Sequence, residues 1–385
     1  MPRHPRAAAS ATSITGSVFS ALARRLESFE GEIYPFHVGD TWMEPAPGCR
    51  MEDLRVADHP GMHRYTAPQG LPALLEEAAA YVERRTGLQT RRSQVLITTG
   101  ATGGLGAAVG ALVEPGEEVL LAAPHWPLID GIVRSFHGVP VNVPLLGVAD
   151  SAETAVAAFE AELTERTVAI YLNTPNNPTG RIIPRPWLEA IVRWAVGHGL
   201  WVLADEVYER YQYSGEHTPC RNLAPEHTFA VYSFSKAFGM AGNRCGFVVG
   251  PEAMMAELRK IGTHTFYSAP TAGQIAGVRA LGEAGDAWVA RARELYSEAG
   301  RQAAERLGLE APEGSTFLFW DVAPHLDERG LGGLLEDCAE RGLLLAPGPS
   351  FGPYPTHVRL SFTATDPAIT QRGLEVLAEL LDRRS

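Results

Sequence analysis

Short, unbroken apolar runs alternate with stretches of helical periodicity from about residue 70 to residue 205, and this pattern constrains the fold more than any other feature of the chain. Leu71–Arg85 has an amphipathic helical spacing and is stopped by Gly87. Gln94–Thr98 reads as a strand that runs straight into a Gly-rich helix start at Gly100–Gly106. Strands are then expected at Glu118–Ala122, Val139–Val143, Val168–Leu172 and Leu200–Ala204. Helices are expected between them, from Pro127, over Ala152–Leu163 and over Pro186–His198. An apolar run without alternation is a strand covered on both faces, and such strands joined by helices form a mostly parallel α/β sheet.

Beyond Gly250 the character changes. Helices at Pro251–Ile261, Thr271–Leu281 and Asp286–Leu307 lead into a smaller α+β segment. It holds strands at Thr316–Val322, Leu343–Ala346 and His357–Phe362, a helix at Gly333–Glu340 and a closing helix to Leu381. The 385 residues have room for two or three packed units. The expected division is a mobile N-terminal arm over 1–15, the N-terminal part of a small domain over 16–47, a large domain over 48–285, and the rest of the small domain over 286–385.

Composition narrows the function. The formal net charge of −12 and the lack of a basic run argue against nucleic acid or an anionic membrane as partner. No apolar stretch approaches the roughly 20 residues that span a bilayer. The basic start MPRHPRAAAS lacks the apolar centre of a secretory signal. Cys49, Cys220, Cys245 and Cys338 lie far apart, with no zinc spacing, a usage that suits the cytoplasm. No metal site is expected. Lys236 and Lys260 are the only lysines, so any chemistry that needs a lysine amine has two candidates.

Four clusters fall at the ends of expected strands, where open α/β sheets bind ligands. Thr99-Gly100-Ala101-Thr102 opens a helix whose backbone N–H groups suit an anion, although a tight turn needs the same residues. Asn173-Thr-Pro-Asn176-Asn177-Pro178-Thr179-Gly180 stiffens a turn that presents amides. Asp205-Glu-Val-Tyr208 sets a carboxylate and a phenol three residues apart; the plainer alternative is a helix cap. Ser233-Phe-Ser235-Lys236, followed by Gly242 and Arg244, places a lysine in a Gly-rich loop between apolar strands, where burial could lower its pKa as Schiff-base lysines require; the plainer alternative is an ordinary surface lysine.

The same residues also fit a rival. TGATGGLG at Thr99–Gly106 and YSFSK at Tyr232–Lys236 match the nucleotide loop and the Tyr/Lys pair of short-chain dehydrogenases. That loop should follow the first strand, yet about 95 residues precede it here. The pair needs one helical face, whereas FAVYSFSK alternates like a strand.

Taken in order, NTPNNPTG, ADEVY, SFSKAFGMAGNRCG and HVRLSF resemble the class I/II aminotransferases, pyridoxal-phosphate enzymes of fold type I, from about Gly39 to Arg359. YTAPQG at Tyr65–Gly70 and His125-Trp126 place the resemblance in the aspartate and aromatic aminotransferase branch. The resemblance implies a large domain around a mostly parallel seven-stranded sheet flanked by helices, plus a smaller α+β domain. It also implies the cofactor pyridoxal 5′-phosphate and a homodimer with shared active sites. Lys236 would carry the cofactor as an internal aldimine and later move the substrate proton. Asp205 would keep the pyridine nitrogen protonated, Tyr208 and Asn177 would bind the ring oxygen, and Trp126 would stack on the ring. Gly100, Ala101, Thr102, Ser233 and Arg244 would hold the phosphate, joined by Tyr65 of the neighbouring subunit. Arg359, with Asn177 and Gly39, would clamp the substrate carboxylate.

Two positions depart from the family pattern. Thr102 stands where part of the branch has a lysine for acidic side chains, and Gly39-Asp40-Thr41-Trp42 replaces a GEPD-like segment. Trp42 is expected either in the substrate pocket or in the core. No second arginine presents itself for a dicarboxylate. The reading is transamination by a ping-pong cycle, from an L-amino acid, neutral or aromatic, to a 2-oxo acid. A C–S β-lyase on the same fold is the alternative.

Overall fold

The computed structural model describes residues 6–14 and 29–384. Residues 1–5 and 15 of the expected 1–15 arm and residues 16–28 of the 16–47 segment therefore lie outside the described residues. The strands are β1 (Val95–Thr98), β2 (Glu118–Ala123), β3 (Val139–Pro144), β4 (Thr167–Asn173), β5 (Trp201–Asp205), β6 (Thr228–Ser233) and β7 (Gly246–Val249). They form one sheet in the order β1-β7-β6-β5-β4-β2-β3. Every pairing from β3 across to β6 is parallel, and β7 alone runs against its neighbours β6 and β1.

The first helices are α1 (Ala9–Ser13), α2 (Pro72–Thr86), α3 (Gly100–Leu112), α4 (Leu128–Ser135), α5 (Ala152–Glu162) and α6 (Arg185–Gly197). The sheet separates two apolar clusters. Leu96, Leu121, Leu203 and Val231 belong to one, and Ile97, Leu120, Val202 and Ala230 to the other. Neighbouring strand residues thus bury opposite faces, which explains why these runs show no polar alternation.

The later helices are α7 (Phe234–Ala237), α8 (Glu252–Thr265), α9 (Thr271–Ala280), α10 (Glu283–Arg306), α11 (Gly330–Ala339) and α12 (Pro367–Asp382). A second, antiparallel sheet has the order β8-β10-β9, from β8 (Phe317–Asp321), β9 (Ala346–Pro347) and β10 (His357–Ser361). The expected strand Leu343–Ala346 is corrected to the pair Ala346–Pro347. Leu343 instead bridges Tyr34, the Leu344 amide bonds the Tyr34 carbonyl at 3.1 Å, and Pro347 has no N–H to extend the ladder. The chain from Tyr34 to Asp40 runs along this small sheet. The Ser361 amide donates to the Phe36 carbonyl, and the Thr363 hydroxyl to that of Asp40.

The C-terminal ends of β1, β2, β4, β5 and β6 lie at one edge of the large sheet. Because β7 is reversed, its first residue, Gly246, stands level with Thr98 and Ser233. Residues just before β7 therefore reach the same edge as residues just after the other strands.

Candidate active site

At that edge lies a cavity of about 350 Å³, between the large sheet and β10. Ala101, Thr102, Trp126, Asn177, Asp205 and Tyr208 line it from the strand ends. Ser233, Lys236 and Arg244 line it from the β6–β7 connection, and Gly39, Phe351 and Arg359 from the side of the small sheet. Residues expected from well-separated parts of the sequence thus meet in one space.

The end of the cavity expected to take an anion is built by α3. Thr99 makes no side-chain cap, so the first N–H groups of this helix have no capping side chain. Gly100 adopts φ +71°, and a Cβ there would stand 2.9 Å from Arg244 Nη2. The positive φ favours glycine here, and a Cβ would push the guanidinium away from the helix terminus. Arg244 itself has φ +49°, a rare conformation for a side chain of this size. This folds the guanidinium back to donate to the carbonyls of Thr99 at 3.3 Å and Ala241 at 3.0 Å. The Ser233 hydroxyl accepts from the Ser235 amide at 3.1 Å and starts α7, the turn that carries Lys236.

Asp205 closes β5 with 3% of its surface exposed. Burial pushes its carboxyl up to about 6, against the lowering effect of the Tyr171 hydroxyl. That hydroxyl donates to Asp205 Oδ2 at 2.7 Å. Tyr171 lies opposite Leu203 on β4, two residues back from the Asn173–Asp205 pair, so its ring reaches forward on the same face. Sequence reading missed Tyr171, which looks like any core residue of its strand. Asn173 donates to the Asp205 carbonyl at 2.9 Å and accepts the Asn177 amide at 2.7 Å.

Arg359 is buried on β10, with its guanidinium between the rings of Phe317 (4.3 Å) and Phe351 (4.9 Å). It donates to Asn177 Oδ1 at 3.0 Å and to the His37 carbonyl at 2.6 Å. Burial pulls its pKa down to about 10, partly offset by Tyr208, so it stays charged near neutrality. The Tyr208 phenol is buried beside Asn177 and Thr316, and burial raises its pKa.

Lys236 Nζ donates to the Gly39 carbonyl. Burial lowers its pKa; Asp40 opposes that, and the positive charges of Arg359 and Arg244 add to it. Tyr211, also missed by sequence reading, donates to the carbonyls of Lys236 (2.9 Å) and Ala237 (3.2 Å) and fixes the turn. The other lysine, Lys260, is exposed and pairs with Glu257 at 2.7 Å.

Three expected residues do not line the cavity: Gly100, which lies under Arg244, and Trp42 and Tyr65. The Trp42 ring meets Tyr296 edge-on at 4.6 Å, and Tyr296 stands edge-on to Tyr211. Tyr65 is 87% exposed, with its ring against Tyr267 at 5.1 Å. The dehydrogenase pairing fails in space: the Tyr232 hydroxyl donates to buried Glu206 at 3.0 Å, away from the cavity that Lys236 lines.

Comparison with known proteins gives this geometry a family. The sequence model described as Aminotransferase class I and II matches residues 34–377. The chain belongs to that family. This aminotransferase is 34% identical over 342 residues to an aspartate/prephenate aminotransferase of Thermus thermophilus, covering 86% of this chain and 87% of the relative. It is 33% identical to an arginine–pyruvate transaminase of Pseudomonas aeruginosa, covering 89% and 88% of the two chains. The solved Thermus thermophilus aspartate aminotransferase with maleate superposes with a TM-score of 0.88 at 30% identity, covering 98% of this chain and all of that one. Enzymes of this family transfer amino groups with pyridoxal phosphate as cofactor. Among the described residues, no group of His, Cys, Asp or Glu is arranged to hold a metal, and no helix is long and apolar enough to cross a membrane.

Proposed function

We propose that the cavity binds pyridoxal 5′-phosphate on Lys236 and transfers the amino group of a neutral or aromatic L-amino acid to a 2-oxo acid. The observation that carries this reading is the convergence of Lys236, Asp205, Arg244 and Arg359 on one cavity. The residues fit the cofactor. An uncapped helix start under Arg244 suits a phosphate, and a buried carboxylate whose pKa burial has raised suits a protonated ring nitrogen. The indole of Trp126 in the cavity wall suits the ring face.

When bound, pyridoxal phosphate supplies an aldehyde that takes up an amino group and a cationic ring that accepts the electron pair of a broken Cα–H bond. Asp205 would keep the ring nitrogen protonated, and the Tyr171 hydroxyl favours the ionised form of Asp205. Lys236 anchors the cofactor. Its amine, when free and neutral, would take the proton from the substrate Cα, and burial with two neighbouring guanidiniums favours that neutral form. Arg359 grips the α-carboxylate in its fork, and Asn177 fixes that fork. The two rings around Arg359 exclude water from the pair.

The neutral or aromatic preference rests on the cations. Among the described residues lining the cavity these are Lys236, Arg244 and Arg359, and each already has a partner in this scheme. Tyr65, exposed and not part of its own cavity wall, is assigned to the phosphate of a second subunit in a homodimer. Four free, buried cysteines support a cytoplasmic setting.

The test is an absorption spectrum with added pyridoxal phosphate, followed by borohydride reduction, peptide mapping and a donor panel with 2-oxoglutarate. A visible band, a label on Lys236 and acceptor-dependent turnover are expected. A label on Lys260 would break the site, and 2-oxo acid released without an acceptor would point to the lyase.

A further inference from the structure

We propose that Leu128 selects the substrate side chain, making this site prefer an apolar, and best an aromatic, amino acid over a dicarboxylic one. The proposal rests on the aminotransferase reading and names the residue that sets its substrate class.

Leu128 is the first residue of α4 and lines the cavity, yet 55% of its surface is exposed. A large apolar side chain on a cavity wall with that much free surface gains from a ligand that covers it. Its place relative to the carboxylate clamp is set by the backbone. Phe351 packs against the Arg359 guanidinium at 4.9 Å, and the Phe351 carbonyl accepts the His125 amide at 3.0 Å. His125 begins the run Trp126-Pro127-Leu128, all three of which line the cavity. A carboxylate held by Arg359 therefore has Phe351 beside it and Leu128 further along the same wall, where a side chain would project.

Among the described residues, α4 brings no free cation to that end of the cavity. Arg134, the one cation of α4, is spent on Asp130, with Nε–Oδ1 at 2.6 Å and Nη2–Oδ2 at 3.2 Å. His125 is buried, and its pKa is lowered by that burial. Its ring bonds the Trp126 carbonyl at 3.0 Å and Asn142 at 2.8 Å, and so holds the run in place. A distal carboxylate would meet the apolar Leu128 and Pro127; a phenyl ring would meet Leu128, Pro127 and Phe351.

The holoenzyme can be tested with two unreactive carboxylates, 3-phenylpropanoate and succinate, by titration calorimetry of wild type, Leu128→Ala and Leu128→Arg. Wild type should favour 3-phenylpropanoate. Leu128→Ala should shrink that preference roughly tenfold, and Leu128→Arg should reverse it. In turnover, kcat/KM for phenylalanine over aspartate should follow the same order. Preference ratios unchanged in both variants would overturn the assignment of Leu128 while leaving the aminotransferase reading intact. Failure of wild type to convert any amino donor would remove that reading and this proposal with it.

Discussion

Replacing Asp205 with asparagine should stabilise the cofactor-free protein and weaken its hold on the cofactor. Burial raises the carboxyl from its ordinary 3.8 to about 6. Because the folded-state value is the higher one, Asp205 contributes fully to stability only below the ordinary value, and the contribution is lost as pH rises through 6. That rise corresponds to about 3 kcal/mol once pH is well above both values. Roughly half is lost by pH 5, leaving about 1.4 kcal/mol to be lost between pH 5 and pH 8. Asparagine can still accept the Tyr171 hydroxyl, and it has no charge to bury. Without cofactor, Asp205→Asn should therefore melt above wild type by about 4 °C at pH 8 and about 2 °C at pH 5, given the entropy of unfolding of a chain this long. Thermal melts across that range read the difference directly. Saturating pyridoxal phosphate should then raise the midpoint of wild type more than that of the variant, since only the carboxylate can pair with a protonated ring nitrogen. A cofactor-free variant that melts at or below wild type at pH 8, or a difference that does not change with pH, would refute the argument.

Other substitutions test the remaining parts. Lys236→Ala should lose turnover and the visible band with an unchanged circular dichroism spectrum; normal activity would refute the site as a whole. Arg359→Ala should raise KM for amino donors about a hundredfold with cofactor retained, measured by steady-state kinetics and the bound chromophore. Loss of the cofactor instead would mean that Arg359 serves a different group. Tyr171→Phe removes the hydrogen bond that opposes the raised Asp205 pKa. The pH below which cofactor affinity falls should then move upward by about one pH unit, read from titrations followed by absorbance.

The residues legible in the sequence share one property: each sits where an apolar run stops. Thr99, Asn173, Asp205 and Ser233 end such runs, so glycines, amides and a lysine just beyond them stand out locally. Tyr171 and Tyr211 have no such signal. Tyr171 is an interior strand residue whose partner, Asp205, lies 34 positions away, and Tyr211 acts through the carbonyls of residues 25 and 26 positions on. The rings around Arg359 come from Phe317 and Phe351, which reading one strand at a time cannot pair with it. The direction of β7 was hidden for the same reason, because an apolar run reads the same whichever way its strand runs. Leu343 misled because its partner, Tyr34, lies more than 300 residues earlier.

The two-sheet construction of the cavity has a consequence for which molecules fit. Asp205 and the β6–β7 connection, with Lys236 and Arg244, belong to the seven-stranded sheet, whereas Arg359 stands on the three-stranded one. Arg359 to Asn177, Asn177 to Asn173 and Asn173 to Asp205 are linked by hydrogen bonds of 3.0, 2.7 and 2.9 Å, which set the gap between the two. The cavity thus works as a caliper. On the proposed roles of Lys236 and Arg359, a simple amine would touch one jaw only, and a β-amino acid, one carbon longer between nitrogen and carboxylate, would fit the setting less well. On the same roles, an α-amino acid would be selected by its span as well as by its side chain.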